Sequence, residues 1–243
     1  TGPTGSGKST TLYATLGDVA KPEINIITVE DPVEFRMRGI NQVQVNNKAG
    51  MTFAAALRSI LRADPDVVLI GEIRDQETAN IAIEASLTGH LVLSTLHTND
   101  APSAVTRLTE MGVEPFLLSS SLAAVMAQRL ARRLCKKCKR QDTATEAELR
   151  TLGVPHMPDT PLPTIWRPVG CRECANTGYS GRVAIQQVMG VDSTMEDLIA
   201  RGATSIDIDK AAKEQGMTTL RKDGWQKALQ GITSVEEVLR VTV

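Results

Sequence analysis

The first 134 residues alternate between stretches with strand-like and helix-like spacing of hydrophobic residues. Three short apolar runs, each flanked by turn-forming or acidic residues, predict buried strands. A fourth stretch alternates polar and apolar residues, which predicts a half-buried strand. In chain order, the four stretches are INIITV at 24–29, NQVQVN at 41–46, DVVLIGE at 66–72 and LVLSTLH at 91–97.

Four helical patterns lie beside these predicted strands, the first of them at 8–19. The apolar residues of 53–61 recur at i, i+3, i+4, i+7 and i+8, so they form one helical face, and Thr52 is suited to cap that helix. Asp75 and Asp100 are suited to begin the other two helices. Strands that alternate with helices predict an α/β fold with a mostly parallel sheet that is covered on both faces.

The composition changes after residue 134. Residues 135–182 are rich in proline, threonine and charged residues, and they contain all four cysteines. Short helical patterns return after this segment, notably at 206–216 and 234–242. We therefore predict a core at 1–134, a cysteine-containing arm at 135–182 and a C-terminal helical region at 183–243.

The strongest motif lies in the first ten residues, TGPTGSGKST, which match the phosphate-loop pattern G-x-x-x-x-G-K-[ST]. In such a loop backbone N–H groups converge on phosphate oxygens, Lys8 contacts the outer phosphates, and the Ser9 hydroxyl binds Mg²⁺. The alternative is a glycine-rich turn that matches by chance, but a helix and an acidic strand end follow it, as a nucleotide site requires. The predicted nucleotide contacts are Gly2, Pro3, Thr4, Gly5, Ser6, Gly7, Lys8, Ser9 and Thr10.

Acidic residues and a histidine follow three of the predicted strands. Glu72 ends one strand, His97 ends another, and Glu30, Asp31 and Glu34 follow the first. Ligands of open α/β sheets bind at the carboxyl ends of strands, so we predict catalytic or magnesium-binding roles for Glu34, Glu72 and His97. The competing interpretations are a capping or surface glutamate, a solvated acidic loop and a structural histidine.

The cysteines form two C-x-x-C pairs, Cys135 with Cys138 and Cys171 with Cys174. Four thiolates in two such turns favour tetrahedral Zn²⁺, although the spacer between the pairs is longer than is common. Redox-active pairs are the alternative, but they usually occur singly on a thioredoxin-like pattern, which this sequence lacks.

Charge and composition narrow the remaining classes of function. The formal net charge is −1 and aromatic residues make up 3% of the chain, so neither charge nor base stacking favours nucleic-acid binding. The run RLARRLCKKCKR at 129–140 is the one feature that supports a zinc-containing nucleic-acid binder. The competing interpretation is a solvated basic helix end that faces anionic lipid or an acidic partner. No apolar run is long enough for a transmembrane helix.

Taken in order, the motifs resemble the secretion ATPase superfamily, which powers type II secretion and type IV pilus assembly. The resemblance covers nearly the whole chain and implies a RecA-like P-loop ATPase fold with a zinc-binding arm and C-terminal helices. The segments that carry it are GPTGSGKSTTLY, ITVEDPVEF, LRADPDVVLIGEIRD, TGHLVLSTLHTND, GVEPFLLSSSLAAVMAQRLARRLC, TGYSGRVAI and GMTTLRKDGWQKALQGITSVEEVLRVT.

The resemblance also implies individual roles. Gly2 to Ser9 match the family's Walker A loop, and Glu34 matches the glutamate thought to activate water. Glu72 matches the Walker B glutamate, which helps to hold Mg²⁺ or the water, and His97 matches the His box. The four cysteines match a zinc-binding arm that pilus-retraction relatives lack, which favours an assembly or secretion motor.

For the whole protein, the resemblance implies ATP hydrolysis that drives assembly or extrusion of pilin-like subunits. It implies a homo-hexamer on the cytoplasmic face of the inner membrane, bound to a membrane platform and cytoplasmic assembly proteins, with no specific nucleic-acid partner. It implies a further N-terminal domain and a strand ahead of the phosphate loop, so we expect this chain alone to be a poor ATPase. A nucleotide-binding scaffold without useful turnover is the alternative, and the two candidate carboxylates argue against it.

Overall fold

A computed structural model describes residues 1–157 and 159–242. Its central sheet has four parallel strands in the order β2-β1-β3-β4, which confirms the predicted α/β fold with a parallel sheet. The first and third strands are buried along their whole length because helices cover both faces. The strands are β1 (Ile26–Glu30), β2 (Asn41–Gln44), β3 (Val67–Ile70) and β4 (Leu91–Ser94).

Only β4 departs from its predicted burial. Leu91 is 47% exposed, and the other three residues of β4 are half-buried. This strand pairs with β3 on one side and forms one edge of the four-stranded sheet, so less of its surface is covered.

The predicted helices of the first half form with the predicted caps. Thr52 Oγ1 accepts a hydrogen bond from the N–H of Ala55, and Asp75 Oδ1 accepts one from the N–H of Thr78. Asp100 Oδ1 likewise accepts from the N–H of Ser103. The predicted helices are α1 (Lys8–Val19), α2 (Phe53–Ile60), α3 (Gln76–Leu87) and α4 (Pro102–Glu110). A fifth helix, α5 (Pro115–Ser121), was not predicted.

Alternate residues of the central strands divide the core between the two faces of the sheet. Ile27 and Val29 pack with residues of α2 to α5, whereas Ile26 packs with Tyr13 and Leu16 of α1 on the opposite face. The helix that follows the phosphate loop is therefore held directly against the sheet.

A long antiparallel pair of strands, called the hairpin below although the arm lies between the two strands in the chain, was not predicted. It pairs β5 (Ala124–Leu134) with β8 (Tyr179–Gly190). The prediction of a basic helix end within 129–140 was therefore wrong, since 129–134 belong to β5. Residues 183–190, which we had grouped with the C-terminal helices, form most of β8. The alanines, glutamine and arginines of β5 are good helix formers, and strand pairing with β8 overrides that weak preference.

The cysteine-containing segment packs with the C-terminal helices around a second core. Leu149 and Ile165 from the segment contact this core together with Trp225, Val235 and Val238 from the C-terminal region. Around this core lie β6 (Arg140–Thr143), α6 (Glu146–Leu152), β7 (Thr164–Arg167), α9 (Leu220–Leu229) and α10 (Val235–Val241). The other two C-terminal helices, α7 (Ser193–Ala200) and α8 (Ser205–Glu214), pack on the first core instead. The last two helical patterns of the sequence are thereby confirmed as α8 and α10. Of the helices in the described ranges, none has the length and hydropathy needed to span a bilayer.

Residues Thr1 and Gly2 connect the hairpin to the central sheet. The N–H of Gln128 donates to the carbonyl oxygen of Thr1 at 3.0 Å, and the N–H of Gly2 donates to that of Leu96 at 3.3 Å. The start of the phosphate-loop sequence thus lies between the segment that follows β4 and the strand β5. The central strands are on one side of it and the hairpin is on the other.

Candidate active site and metal site

A cleft of about 520 Å³ lies where the phosphate-loop sequence meets the carboxyl ends of β1, β3 and β4. It brings together the predicted residues Lys8, Ser9, Glu34, Glu72 and His97, which are up to 89 positions apart in the chain. Other predicted loop residues also line it, namely Thr4, Gly5, Gly7 and Thr10. Pro3 is exposed, whereas Gly2 and Ser6 are buried beneath the loop.

Close approach of β5 explains two of the loop glycines. Gly2 and Gly7 have φ angles of 148° and 89°. A Cβ atom on Gly2 would lie 2.5 Å from the carbonyl oxygen of Gln128, and one on Gly7 would lie 2.8 Å from its Nε2. Side chains at these positions would push the loop away from the strand that supports it.

Lys8 begins α1 and holds the loop closed. Its Nζ donates to the carbonyl oxygens of Gly2 at 2.8 Å and Pro3 at 3.1 Å. Burial lowers the pKa of Lys8, nearby Arg129 lowers it further, and the negative charge of Glu72 opposes both effects. The ammonium group therefore lies within the electrostatic reach of Glu72, beside the positive end of the α1 dipole, where anions bind favourably.

Glu72 and His97 meet at the carboxyl ends of β3 and β4. His97 Nε2 lies 3.4 Å from Glu72 Oε2, and Arg74 forms an ion pair with the other oxygen of the same carboxylate. The hydrogen bond to Glu72 raises the pKa of Arg74. The Glu72 side chain is only 14% exposed, so its position is restrained by both neighbours.

The acidic residues at the end of β1 and directly after it do not form one cluster. Glu30 is buried, and its carboxylate accepts hydrogen bonds from Thr28 Oγ1 at 2.5 Å, from Gln42 Nε2 at 3.1 Å and from the Tyr13 hydroxyl. Asp31 and Glu34 are exposed, and Glu34 lines the cleft. Burial, followed by the hydrogen bond to Glu30, raises the pKa of Tyr13 to about 12, so its phenol stays protonated and continues to donate.

The hairpin contributes one wall of the cleft, and its residues were not predicted from the sequence. Leu130 of β5 and Arg182 of β8 line the cleft opposite the central strands. Gln128 of β5 donates from Nε2 to the carbonyl oxygen of Ser6 at 2.7 Å and accepts from Thr11 Oγ1 at 2.9 Å. Neither β5 nor β8 alternates apolar and polar residues along its length, so no local sequence signal would have found these residues.

The four cysteines lie together, as their spacing predicted. All four Sγ atoms are within 4.8 Å of one another, and the hydrogen-bonded pairs are separated by 3.7 to 3.9 Å. Four sulfurs placed ~2.3 Å from one metal ion at the corners of a tetrahedron are ~3.8 Å apart. The cluster therefore has the dimensions of a four-thiolate metal site. It consists of Cys135, Cys138, Cys171 and Cys174.

Backbone donors surround these sulfurs. Cys138 Sγ accepts from the N–H of Gly170 at 3.3 Å, and Cys174 Sγ accepts from those of Cys171 at 3.2 Å and Gly178 at 3.3 Å. Burial raises the pKa of the Cys174 thiol, but the backbone donors outweigh it and hold the pKa at about 6. Burial raises the pKa of Cys138 to about 11, and the neighbouring thiols contribute to this increase. Ionising all four groups together therefore requires a cation among them.

Several cations of the basic run have structural partners. Arg129 donates to the carbonyl oxygen of Asn99 at 2.7 Å. Arg132 pairs with Glu237 at 2.7 Å, and Lys139 donates to the carbonyl oxygen of Gly231 at 2.7 Å. These cations join β5 and the arm to other parts of the chain, which weakens the support that the basic run gives to a nucleic-acid-binding surface.

Comparison with known proteins gives the same fold. The crystal structure of the pilus retraction motor PilT with bound ADP superimposes with a TM-score of 0.73 at 27% identity, over 99% of this chain and 59% of that one. The ATPase DotB of Legionella pneumophila superimposes with a TM-score of 0.69 at 22% identity, over 99% and 58% of the two chains, which supports the fold alone.

Proteins found by sequence comparison are more similar to this chain than these two solved structures are. Type II secretion system protein E of Pseudomonas aeruginosa is 56% identical over 242 residues, which cover 100% of this chain and 47% of that protein. The type IV pilus assembly ATPase PilB of Thermus thermophilus is 52% identical over 243 residues, 100% of this chain and 27% of its own length. The chain thus spans half or less of the length of these relatives. The family model for the Type II/IV secretion system protein matches residues 1–240, and the chain belongs to that family.

Proposed function

We propose that this chain binds and hydrolyses ATP to drive the assembly or extrusion of pilin-like subunits in type II secretion or type IV pilus biogenesis. The observation that carries the proposal is the single cleft in which Lys8, Glu34 and Glu72 surround the start of α1. Relatives at 52–56% identity are named type II secretion system protein E and type IV pilus assembly ATPase, which supports the same function.

In this proposal the loop at 2–10 binds the phosphates of ATP. Backbone N–H groups at the start of α1 face the cleft, and Lys8 exchanges its contacts with two loop carbonyls for contacts with the outer phosphates. The exposed Ser9 hydroxyl and the Glu72 carboxylate form an oxygen donor set that suits Mg²⁺. Magnesium, when bound, offsets charge on the phosphate oxygens during transfer.

Glu34 and Glu72 differ in their surroundings, and we assign them different roles. Glu34 is exposed in the cleft, where its carboxylate is accessible to a water molecule. In the hydrolysis step, water attacks the γ-phosphorus, its proton passes to Glu34, and the bond to the leaving ADP oxygen breaks. Glu72 is held by Arg74 and His97, which suits a fixed magnesium or water ligand, with His97 sensing its position.

We propose that the four cysteines bind one structural Zn²⁺ and that the arm at 135–182 depends on it. Sulfur–sulfur separations of 3.7 to 3.9 Å in three pairs of cysteines support zinc as the ion. All four cysteines lie outside the lining of the nucleotide cleft, which supports a structural role for that ion. When bound, zinc contributes folding free energy to the arm and performs no step of ATP hydrolysis. We also propose that the chain is organised as three units: the core at 1–134, the arm at 135–182 and the C-terminal region at 183–243.

For the complete protein we propose a homo-hexamer on the cytoplasmic face of the inner membrane. Its partners are the membrane platform and the cytoplasmic assembly proteins of the secretion or pilus machinery, and it has no specific nucleic-acid partner. The names of the relatives support this assignment, and the structural pairing of Arg129, Arg132 and Lys139 argues against a nucleic-acid surface.

The proposal is tested by measuring ATP binding and hydrolysis by the full-length protein and by its Lys8→Ala variant. We expect magnesium-dependent hydrolysis that the substitution abolishes without unfolding the protein. A wild-type protein that binds ATP without turnover would support a scaffold instead. Hydrolysis by Lys8→Ala at the wild-type rate would overturn the assignment of the phosphate loop.

A further inference from the structure

Tyr13 connects the phosphate-loop helix to the backbone of Glu34. It lies on the second turn of α1 and is 5% exposed. Its hydroxyl forms a hydrogen bond with the Glu30 carboxylate, and the N–H of Glu34 donates to the same hydroxyl oxygen at 3.1 Å. The ring also packs against that of Phe35, with centroids 4.3 Å apart. Two consecutive residues of the acidic loop therefore rest on one side chain.

The direction of these hydrogen bonds follows from the groups involved. A phenol has one proton to donate, an ionised carboxylate only accepts, and a backbone N–H only donates. The Tyr13 proton therefore points to Glu30, which leaves the oxygen lone pairs to face Glu34. Thr28 and Gln42 complete the donors on Glu30, so this buried carboxylate holds the phenol in one orientation.

The same helix carries Lys8 and the side chain that contacts the backbone of Glu34. Lys8 is its first residue, and Tyr13 lies on the next turn, five positions later. A shift of α1 that moves the phosphate loop also moves the contact that holds Glu34. This coupling is direct because each step is a hydrogen bond or a covalent helix segment.

We infer that Tyr13 is a positioning residue for hydrolysis: its hydroxyl, oriented by Glu30, fixes the backbone of Glu34 relative to the helix that carries Lys8. The inference rests on the proposed function, since it requires Glu34 to act on the attacking water. Tyr13 lines the cleft, but its proposed role is through Glu34 and involves no contact with ATP.

The primary test is Tyr13→Phe in the full-length protein, which keeps the ring and removes only the hydroxyl. Correct placement of a general base contributes about 10²- to 10⁴-fold to a rate, and we expect this variant to lose about tenfold in kcat. Nucleotide Kd should remain within about twofold, because the phosphate contacts are intact. A rise in Kd that accounts for the whole loss of activity would overturn the inference.

The chain offers a matched control, because its other tyrosine is half-buried and its hydroxyl is also hydrogen-bonded. The Tyr179 hydroxyl lies 2.8 Å from Ser234 Oγ, outside the cleft lining. Tyr179→Phe should lower stability without lowering kcat. If both variants lose kcat to the same extent, general loosening explains the effect and the positioning role is wrong.

A double-mutant cycle with Glu34→Gln tests whether Tyr13 acts through Glu34. In the Glu34→Gln background, single-turnover hydrolysis should fall less than about twofold on adding Tyr13→Phe, since the group being positioned no longer accepts a proton. A further tenfold loss there would overturn the inference. If Tyr13→Phe fails to fold, Glu30→Gln, which keeps both rings, is judged by the same criteria.

The outcomes separate this inference from the proposed function. Loss of turnover in Lys8→Ala and Glu34→Gln with a normal Tyr13→Phe would leave the proposed function standing and refute the positioning role alone. Wild-type turnover in Glu34→Gln would refute the assignment of the base, on which the inference depends.

Discussion

The side-chain amide of Gln128 donates a 2.7 Å hydrogen bond to the carbonyl oxygen of Ser6, a residue 122 positions earlier in the chain. Its Oε1 accepts from Thr11 Oγ1 at 2.9 Å and from Gln186 Nε2 at 3.2 Å. One buried side chain on β5 therefore joins the phosphate loop, the first turn of α1 and β8. The conformation of the loop is set by the hairpin as well as by its own glycines.

The first prediction is that Gln128→Met weakens both the fold and nucleotide binding. Methionine has a similar volume but leaves the Ser6 carbonyl and the Thr11 hydroxyl without their partner, which should lower the free energy of unfolding by about 1–3 kcal/mol. A misplaced loop should also weaken ATP binding by about tenfold, equivalent to ~1.4 kcal/mol. Urea unfolding and ATP titration measure the two effects separately.

Gln187→Met is the matched control for this prediction. Gln187 is as buried as Gln128, at 4% exposed, but its Oε1 accepts from the N–H of Ala101 at the start of α4. This variant should lose stability and keep the wild-type affinity for ATP. Equal losses of affinity in the two variants would contradict a specific role for Gln128.

Local patterns were sufficient to predict the four strands of the central sheet and the helices α1 to α4. The apolar run of β3 and the caps Thr52, Asp75 and Asp100 encode their elements within a few residues. The hairpin β5–β8 escaped prediction because its partner strands are separated by the whole arm. The alanine- and arginine-rich sequence of β5 also has little strand preference of its own.

The residues of the candidate site likewise divide into those that the sequence predicts and those that it does not. Lys8, Glu72 and His97 were predicted because each occupies a recognisable position at the end of a strand or in a motif. Tyr13 and Gln128 were not, because their roles depend on a partner that only the folded chain brings within hydrogen-bond distance. Sequence spacing cannot reveal such contacts between elements that are not neighbours in the chain.

The second prediction separates the two candidate carboxylates of the active site. Glu34→Gln should lower kcat by about 10²-fold or more, because it removes the proton acceptor, and should leave ATP affinity unchanged. Glu72→Gln should instead reduce the difference in ATP affinity measured with and without Mg²⁺. Equal loss of binding in both variants would show that the roles are not separable.

The third prediction concerns the four cysteines. Purified protein should contain about one Zn²⁺ per chain by elemental analysis, and Cys135→Ser should lose it. Zinc binding contributes ~10–16 kcal/mol in small zinc domains at neutral pH, so its loss should unfold the arm. Because Leu149 and Ile165 share a core with the C-terminal helices, the disruption should extend to α9 and α10.

Fluorescence can follow this unfolding selectively. The chain has two tryptophans, and both lie in this half: Trp225 is in the second core, and Trp166 packs beneath Lys139 at 4.4 Å. A chelator should shift their emission to the red, and ATP binding should persist, because the phosphate loop packs on the other core. Disulfides in stoichiometric amount with no metal would refute the zinc site.

The fourth prediction is that acid weakens the packing of α10 against β5 as Glu237 becomes protonated. This carboxylate is 1% exposed and contacts two arginines, Arg132 at 2.7 Å and Arg240 at 2.8 Å. Burial raises the pKa of Glu237, but hydrogen bonds from Arg240 and Arg132 outweigh it and lower the pKa to about 2. Since the folded-state pKa lies below the ordinary value of 4.5, the ionised group stabilises the fold above pH 4.5.

That contribution should disappear as the pH falls from about 4.5 to about 2, because the unfolded state then binds a proton that the folded state excludes. Urea unfolding followed by tryptophan emission at several pH values gives the free energy of unfolding of the half that contains α10. Its change with pH is the slope to be compared between variants. Glu237→Gln should be less stable than wild type at pH 7 and should lose less stability in this interval. Arg167, whose carboxylate partners include Glu148 at 2.9 Å, adds a second acid-sensitive contact that the variant retains, so some slope should remain. An unchanged slope in Glu237→Gln would show that Glu237 titrates alike in the folded and unfolded states, and that the paired arginines do not hold α10 against β5.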